Sequence, residues 1–193
     1  MLNSWWYTGP MKISKKAILG GIILLLAVIV GSTVWWRAGS FLEFTSSAVT
    51  FKYPKSYVKQ ATAKAATNRA QVLISLREDD PVSSIELAQE KGAIIGANVT
   101  KTDFLTFLEG SAERGFPTVY KGYKKVKLER LEISGRSASV VSFSYTGAEK
   151  TPVYVNFFIM PLGNDAYYLR VLSVDQAKLS SDTRAIQKTL HLL

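Results

Sequence analysis

Hydrophobic positions are distributed along this chain in two different ways. From Ala17 to Trp36 the sequence AILGGIILLLAVIVGSTVWW contains no charged residue. These twenty residues would make about 30 Å of helix, the hydrocarbon thickness of a bilayer. A helix packed on a soluble domain would carry a polar stripe, and none is present. The pattern predicts a transmembrane helix over 17–36.

From Val49 onward the apolar residues alternate instead. Val49, Phe51 and Tyr53 predict a strand closed by Pro54, and Val72–Leu76 a second, ended by Glu78-Asp79-Asp80-Pro81. Residues 60–69 are small and polar and read as a loop. Residues 82–99 stay open between two elements: Ser83 and Glu86 fit a helix capping box, whereas Gly92, Gly96 and Ile94-Ile95 suit a strand. Phe104, Leu105, Phe107, Leu108 and Ala112 form a helical stripe, with Thr102 placed to cap it and Asp103 to complement its dipole. Gly115-Phe116-Pro117 predicts its stop.

Four strands follow, at 124–133, 138–146, 153–160 and 166–174, with short connections at Gly135, Gly147 and Gly163-Asn164-Asp165. In the first of them Val126 and Leu128 differ in parity from Leu131 and Ile133, which predicts a bulge near Glu129-Arg130. The last two strands are apolar on both faces, so a helix layer is expected on each side of the sheet. Ile186, Leu190 and Leu193 fall at i, i+4 and i+7 and predict a closing helix that carries His191.

Charge orients the predicted span. Lys12, Lys15 and Lys16 precede it with no acid before Glu43, and Trp35, Trp36 and Arg37 close it where an interfacial belt belongs. The N-terminus is thereby expected in the cytoplasm. The expected organisation is a cytoplasmic tail (1–16), a signal anchor (17–36), a short tether (37–48) and an extracytoplasmic domain (49–193). A cleaved signal peptide is the alternative, using Ala38-Gly39-Ser40; its apolar core ordinarily runs about 7–15 residues, shorter than this one. Met11 opens MKISKK, so residues 1–10 read as an upstream extension, or as an inner-interface segment using Trp5, Trp6 and Tyr7.

Composition narrows the chemistry. The 193 residues include 24 Lys and Arg, 15 Asp and Glu, one His and no Cys, with 47% hydrophobic residues. A mean hydropathy of +0.08 excludes a disordered polycation. Removing Lys12, Lys15, Lys16 and Arg37 leaves 20 basic residues against 15 acidic ones, so the outer part carries a net +5. Without cysteine there is no disulfide framework, thiolate metal site or cysteine nucleophile, and one histidine builds no His-rich metal centre.

Several short motifs fall in a recognisable order. Phe51-Lys52-Tyr53-Pro54, Gly115-Phe116, Gly122-Tyr123, Ile133-Ser134-Gly135-Arg136 and Ala166-Tyr167-Tyr168-Leu169 are spread over roughly residues 41–193. In these the chain resembles the PsbP-like domain family, best known from a photosystem II subunit, although residues 82–99 are longer than the family needs. The resemblance implies an α+β fold, an α/β/α sandwich around a central antiparallel sheet. It also implies a non-catalytic role in docking on membrane complexes or assisting their assembly. It carries over no photosynthetic role and no metal residues.

Candidate chemistry is sparse. Lys121, Lys124, Lys125, Lys127 and Arg130 stand beside Tyr120 and Tyr123 and could bind anionic headgroups or an envelope polymer; the alternative is a strand edge dressed with lysine against edge-to-edge pairing. Glu78-Asp79-Asp80 lacks the spacing of a calcium loop and reads as a solvated turn. Asp103, Glu109 and Glu113 lie on the predicted helix without visible catalytic partners. Ser83-Ser84 and Ser180-Ser181 lack a nucleophile context and read as caps. Asn98-Val99-Thr100 is a glycosylation sequon, meaningful only on a eukaryotic secretory route. Phe157, Phe158, Tyr167 and Tyr168 could line an apolar cavity or pack a core. The expectation is no catalytic site, cofactor or metal; the expected partners are the bilayer and another membrane or envelope protein, with no nucleic acid.

Overall fold

A computed structural model describes residues 40–62, 70–94, 100 and 103–193. The predicted span 17–36, with Lys12, Lys15, Lys16, Trp35, Trp36 and Arg37, lies outside the described residues. Among the described residues no helix is long and apolar enough to cross a membrane. The folded unit begins at Phe41.

Strand β1 (Phe41–Thr45) occupies the stretch expected to be tether. It pairs antiparallel with β2 (Val49–Pro54), Phe41 opposite Pro54 and Thr45 opposite Thr50. Ser46 closes the turn between them, its Oγ donating to Val49 O and accepting from Val49 N. Val49, Phe51 and Tyr53 of β2 are buried, as their alternation predicts. A two-residue strand, β3 (Val58–Lys59), then starts the main sheet against β4 (Ala70–Asp79).

The open segment resolves as strand β5 (Val82–Glu90), which pairs with β4. Ile85 and Leu87 alternate inward there, and that burial outweighs the capping box. Ser83 is no cap: its Oγ donates to Pro81 O and pairs with Ser173 Oγ. Helix α1 (Phe104–Val119) runs through the expected stop. Pro117 stands in its last turn, where a proline removes one hydrogen bond to the carbonyl of Glu113 and little else. Phe116, buried among aromatics, holds that turn, and Tyr120 N donates to Phe116 O.

Four antiparallel strands follow: β6 (Lys124–Ile133), β7 (Arg136–Thr146), β8 (Pro152–Leu162) and β9 (Asp165–Ser173). The seven-stranded order is β3-β4-β5-β9-β8-β7-β6. The β6–β7 hairpin turns on Ser134 and Gly135, both at positive φ (52° and 72°), a pairing of signs that matches a type I′ turn. The bulge in β6 falls between Lys125 and Lys127, not near Glu129-Arg130. The parity change has another cause. Leu128 packs into the core on one face of the sheet, Leu131 and Ile133 into the core on the other, so an unbroken strand satisfies both.

Helix α2 (Gln176–Gln187) is capped by Asp175, whose carboxylate accepts from Ala177 N and Lys178 N. The Ser180-Ser181 pair therefore sits inside the helix, with Ser180 Oγ bonded back to Gln176 O. The helix stops earlier than its periodicity suggests. Ile186 packs from the helix, but Leu190 and Leu192 are buried beyond its end, and Leu193 is exposed. His191 and Leu192 form β10, paired with Thr50 and Val49, so His191 sits exposed on a strand. β1, β2 and β10 make a separate three-stranded sheet.

Two cores result, one on each face of the large sheet. α1 covers the first, with Val141, Phe143, Val155 and Ile159 beneath it. α2 and the small sheet cover the second, with Ala138, Val140, Phe158, Met160, Leu169 and Val171. This is the expected helix layer on each face, supplemented by a sheet on one of them.

One tight turn depends on glycine. Gly122 has φ +68°, and a Cβ there would meet Thr146 Oγ1 at 2.6 Å. Gly122→Ala is expected to cost about 1–2 kcal/mol, since the left-handed conformation is disfavoured for any residue with a side chain. A change in urea midpoint measures it, and an unchanged midpoint would contradict the strain.

Candidate functional site

Strand β6 is one edge of the large sheet, ten residues long, whereas the other edge, β3, has two. An exposed strand of that length is a template for unwanted pairing unless charge or irregularity blunts it. Here Lys124, Lys125, Lys127 and Arg130 supply charge and the bulge at Val126 breaks the ladder. Pairing register divides the cluster between faces. Lys125 and Arg130 lie on the side of α1, while Lys124 and Lys127 lie on the side of α2.

Three of the five cations are already matched by carboxylates. Lys125 pairs with Glu113, and Lys127 Nζ lies 2.8 Å from Glu129. Arg130 is held most tightly: Nε and Nη2 reach Glu109 at 3.0 and 2.7 Å, and Nη2 also donates to Thr106 Oγ1. Lys121 and Lys124 make no ion pair among the described residues. The helix acids thus clamp α1 to the edge strand, and no single basic face is formed.

Beside that clamp opens a cleft of about 680 Å³. The first turn of α1 (Phe104, Leu105, Thr106) forms one wall, and Arg130–Glu132 with Arg136 and Ser137 form the other. Pro161 and Gly163 of the β8–β9 hairpin close one end. Apolar side chains, the fixed Arg130 guanidinium and the exposed Arg136 line it together. The sequence draws attention to Arg130 but not to this cleft, because α1 and the β6–β7 hairpin meet only in three dimensions.

The remaining candidates are structural. Asp79 is bound by Arg77 at 2.7 Å on an exposed turn. Phe158 and Tyr167 belong to one core, Phe157 and Tyr168 to the other, so the four aromatics share no cavity. Among the described residues no group of three or more His, Cys, Asp or Glu could hold a metal ion.

A buried polar network lies at the start of α2. Asp182, 4% exposed, accepts a 2.6 Å hydrogen bond from the Tyr57 hydroxyl and 2.8 and 3.1 Å bonds from Lys178 Nζ. Glu78 Oε2 lies 2.7 Å from the same ammonium, an ion pair without an aligned hydrogen bond. Lys178 also stands over the Tyr57 ring, 4.9 Å from its centroid. Only the Lys178–Asp182 spacing of four was visible in sequence. The network ties the turn after β2, the end of β4 and α2 together.

Burial, and then the Asp182 hydrogen bond and charge, push the Tyr57 hydroxyl far up from its ordinary value. Burial likewise raises Tyr168, aided by Glu90, and raises Tyr123, Tyr145 and Tyr167. A raised folded-state value means that the unfolded chain loses these protons first. Stability is therefore fully present below the ordinary tyrosine value of 10.0 and falls as pH rises beyond it. Urea midpoints measured from pH 8 to 11, values chosen to bracket about 10, should drop at the alkaline end, and less steeply in Tyr57→Phe. Equal slopes in the two proteins would remove Tyr57 from the account.

The folded unit superposes on the cyanobacterial PsbP protein CyanoP of Synechocystis sp. PCC 6803 with a TM-score of 0.57. The sequence identity is 10%, over 80% of this chain and 93% of that one. LpqN, a protein involved in cell envelope biogenesis of Mycobacterium tuberculosis, matches with a TM-score of 0.53 and 12% identity, over 81% of this chain and 93% of its own. The fold is PsbP-like. No protein-family model and no curated protein sequence matches the chain.

Proposed function

We propose that the chain is a single-pass membrane protein, with a cytoplasmic N-terminus, whose folded unit is a non-catalytic docking or assembly domain for another envelope protein. The observation that carries the docking role is the cleft between α1 and the β6–β7 hairpin. Its walls mix apolar side chains with Arg136 and with an arginine that Glu109 and Thr106 hold in place. A fixed cation among apolar groups is a specificity element for a protein surface. The PsbP-like fold supports the reading, since LpqN, which shares it, is involved in cell envelope biogenesis.

The membrane location rests on the uncharged run 17–36, which ends four residues before β1. Those four residues span at most about 14 Å. The tether expected over 37–48 is shortened accordingly, because β1 takes up residues 41–45.

The test is affinity isolation of the full chain from gently solubilised membranes, beside an Arg136→Glu variant. A partner recovered in stoichiometric amount with the parent chain, and reduced at least about tenfold by the variant, is the expected result; tenfold corresponds to about 1.4 kcal/mol. No stoichiometric partner, or equal recovery with both chains, overturns the docking role at this cleft.

A further inference from the structure

Scattered exposed aliphatic residues are ordinary on protein surfaces. Here their placement is not scattered. The large hydrophobic side chains that stand exposed among the described residues are Leu42, Val58, Val82, Val119, Val126 and Leu193. All but Leu193 lie toward one end of the folded unit.

The register identifies that end. Val82 opens β5 opposite Asp79, the last residue of β4, and Val174 N donates to Val82 O. Val58 pairs with Arg77, two residues before the end of β4. Val119 ends α1, and the following turn bonds Lys121 O to Thr146 N at the end of β7. Val126 is the bulged residue near the start of β6. Leu42 neighbours Phe41, opposite the Tyr53–Pro54 end of β2 that leads into β3. The chain therefore enters its folded unit at the same end. Leu193, by contrast, is tied to Ala48 at the far end of the small sheet.

Lysines are interleaved with these aliphatics. Lys55 follows β2, Lys121 and Lys124 precede and open β6, and Lys150 lies in the β7–β8 connection. None of the four makes an ion pair among the described residues. Asp80, Glu149 and Asp175 share this end without an ion pair among the described residues, so the four lysines outnumber these acids by one. Aliphatic side chains among long basic ones suit the boundary between lipid headgroups and acyl chains, where valine is buried and the ammonium stays with phosphate.

We propose that this end of the domain is a membrane-contacting face. Val58, Val82 and Val119 enter the headgroup layer, and Lys55, Lys121, Lys124 and Lys150 meet anionic lipid. The proposal rests on the membrane-anchored reading given above and adds an orientation to it. The strand ends along this edge are about 4.8 Å apart, so the face spans about 29 Å across the seven strands. The cleft at Arg136 and Gly163 lies at the opposite strand ends and is left free for a partner.

The absence of cysteine makes the test direct, because each introduced thiol is unique. Val58→Cys, Val82→Cys, Val119→Cys and Leu193→Cys full-length chains would carry an environment-sensitive fluorophore in vesicles of phosphatidylethanolamine and phosphatidylglycerol. Blue-shifted emission and lost acrylamide quenching at 58, 82 and 119, with an aqueous signal at 193, is the expected result. Lys121→Glu with Lys124→Glu should reduce that shielding.

Aqueous signals at all four sites in a chain that resists carbonate extraction overturn the face and leave the anchor intact. Release of the chain by carbonate overturns the anchor. The same labels on protein added to vesicles then decide the face, shielding supporting it and aqueous signals ending it. Shielding found only in native membranes, and not in lipid vesicles, assigns the face to a protein and overturns the lipid contact.

Discussion

Asp182→Ala is expected to lower stability by about 3–5 kcal/mol, because it removes one partner from a buried ion network and leaves the others uncompensated. The Tyr57 hydroxyl loses its 2.6 Å acceptor, and Lys178 keeps only Glu78. With a urea dependence of about 2 kcal/mol/M for a domain of this size, the unfolding midpoint should fall by about 2 M. Asp182→Asn keeps an acceptor for Tyr57 while removing the charge, so its loss should be smaller. The double variant with Tyr57→Phe separates the hydrogen bond from the ion pair. A midpoint shift below about 0.5 M in Asp182→Ala would mean that the network contributes little beyond its own desolvation.

Phe116→Ala should cost a similar amount, about 3–5 kcal/mol, through cavity formation on the other face of the sheet. The Phe116 ring lies 4.8 Å from Phe143 and 5.0 Å from Phe157 between centroids, with Tyr120 and Tyr123 at 5.7 and 6.1 Å. It is also the residue that keeps the last turn of α1 helical beside Pro117. Truncation should therefore remove helicity as well as stability, and amide exchange in residues 113–120 should speed up more than in β8. Uniform acceleration across α1 and the sheet would show that the turn has no separate dependence on this ring.

The strands were the most legible part of the molecule. β6 to β9 fall within three residues of the limits that alternation suggests, because each is bounded by a hairpin with its own glycine. The failures share a cause. The stop expected at Gly115-Phe116-Pro117 and the closing helix expected through Leu193 rest on local signals, and tertiary packing overrides both. Phe116 is drawn into an aromatic cluster, and His191 and Leu192 are drawn into a strand beside β2. β1 was missed because Phe41–Thr45 alternates weakly and its register comes from β2.

Site legibility followed the same division. The basic residues around 121–130 stand out in sequence, but their partners Glu109 and Glu113 lie on a helix that sequence places without orienting. Charge read along the chain overstated the free positive surface. The cleft had no linear signal, because its walls come from three separate turns. The orientation of the exposed valines became visible only once strand register placed Val58, Val82 and Val126 toward common strand ends.

The small sheet joins the two extremes of the folded unit: Val49 and Thr50, near its beginning, pair with His191 and Leu192, the penultimate pair of the chain. A chain made from its N-terminus cannot close this sheet until His191 and Leu192 have left the ribosome. Whatever carries the emerging polypeptide must therefore shelter the inner edge of β2, with the buried side chains of Val49 and Phe51, until His191 and Leu192 emerge. Closure of the small sheet thus waits on synthesis of the intervening strands rather than on the speed at which any one strand forms. A stop codon before His191 would leave β1 and β2 without their third strand.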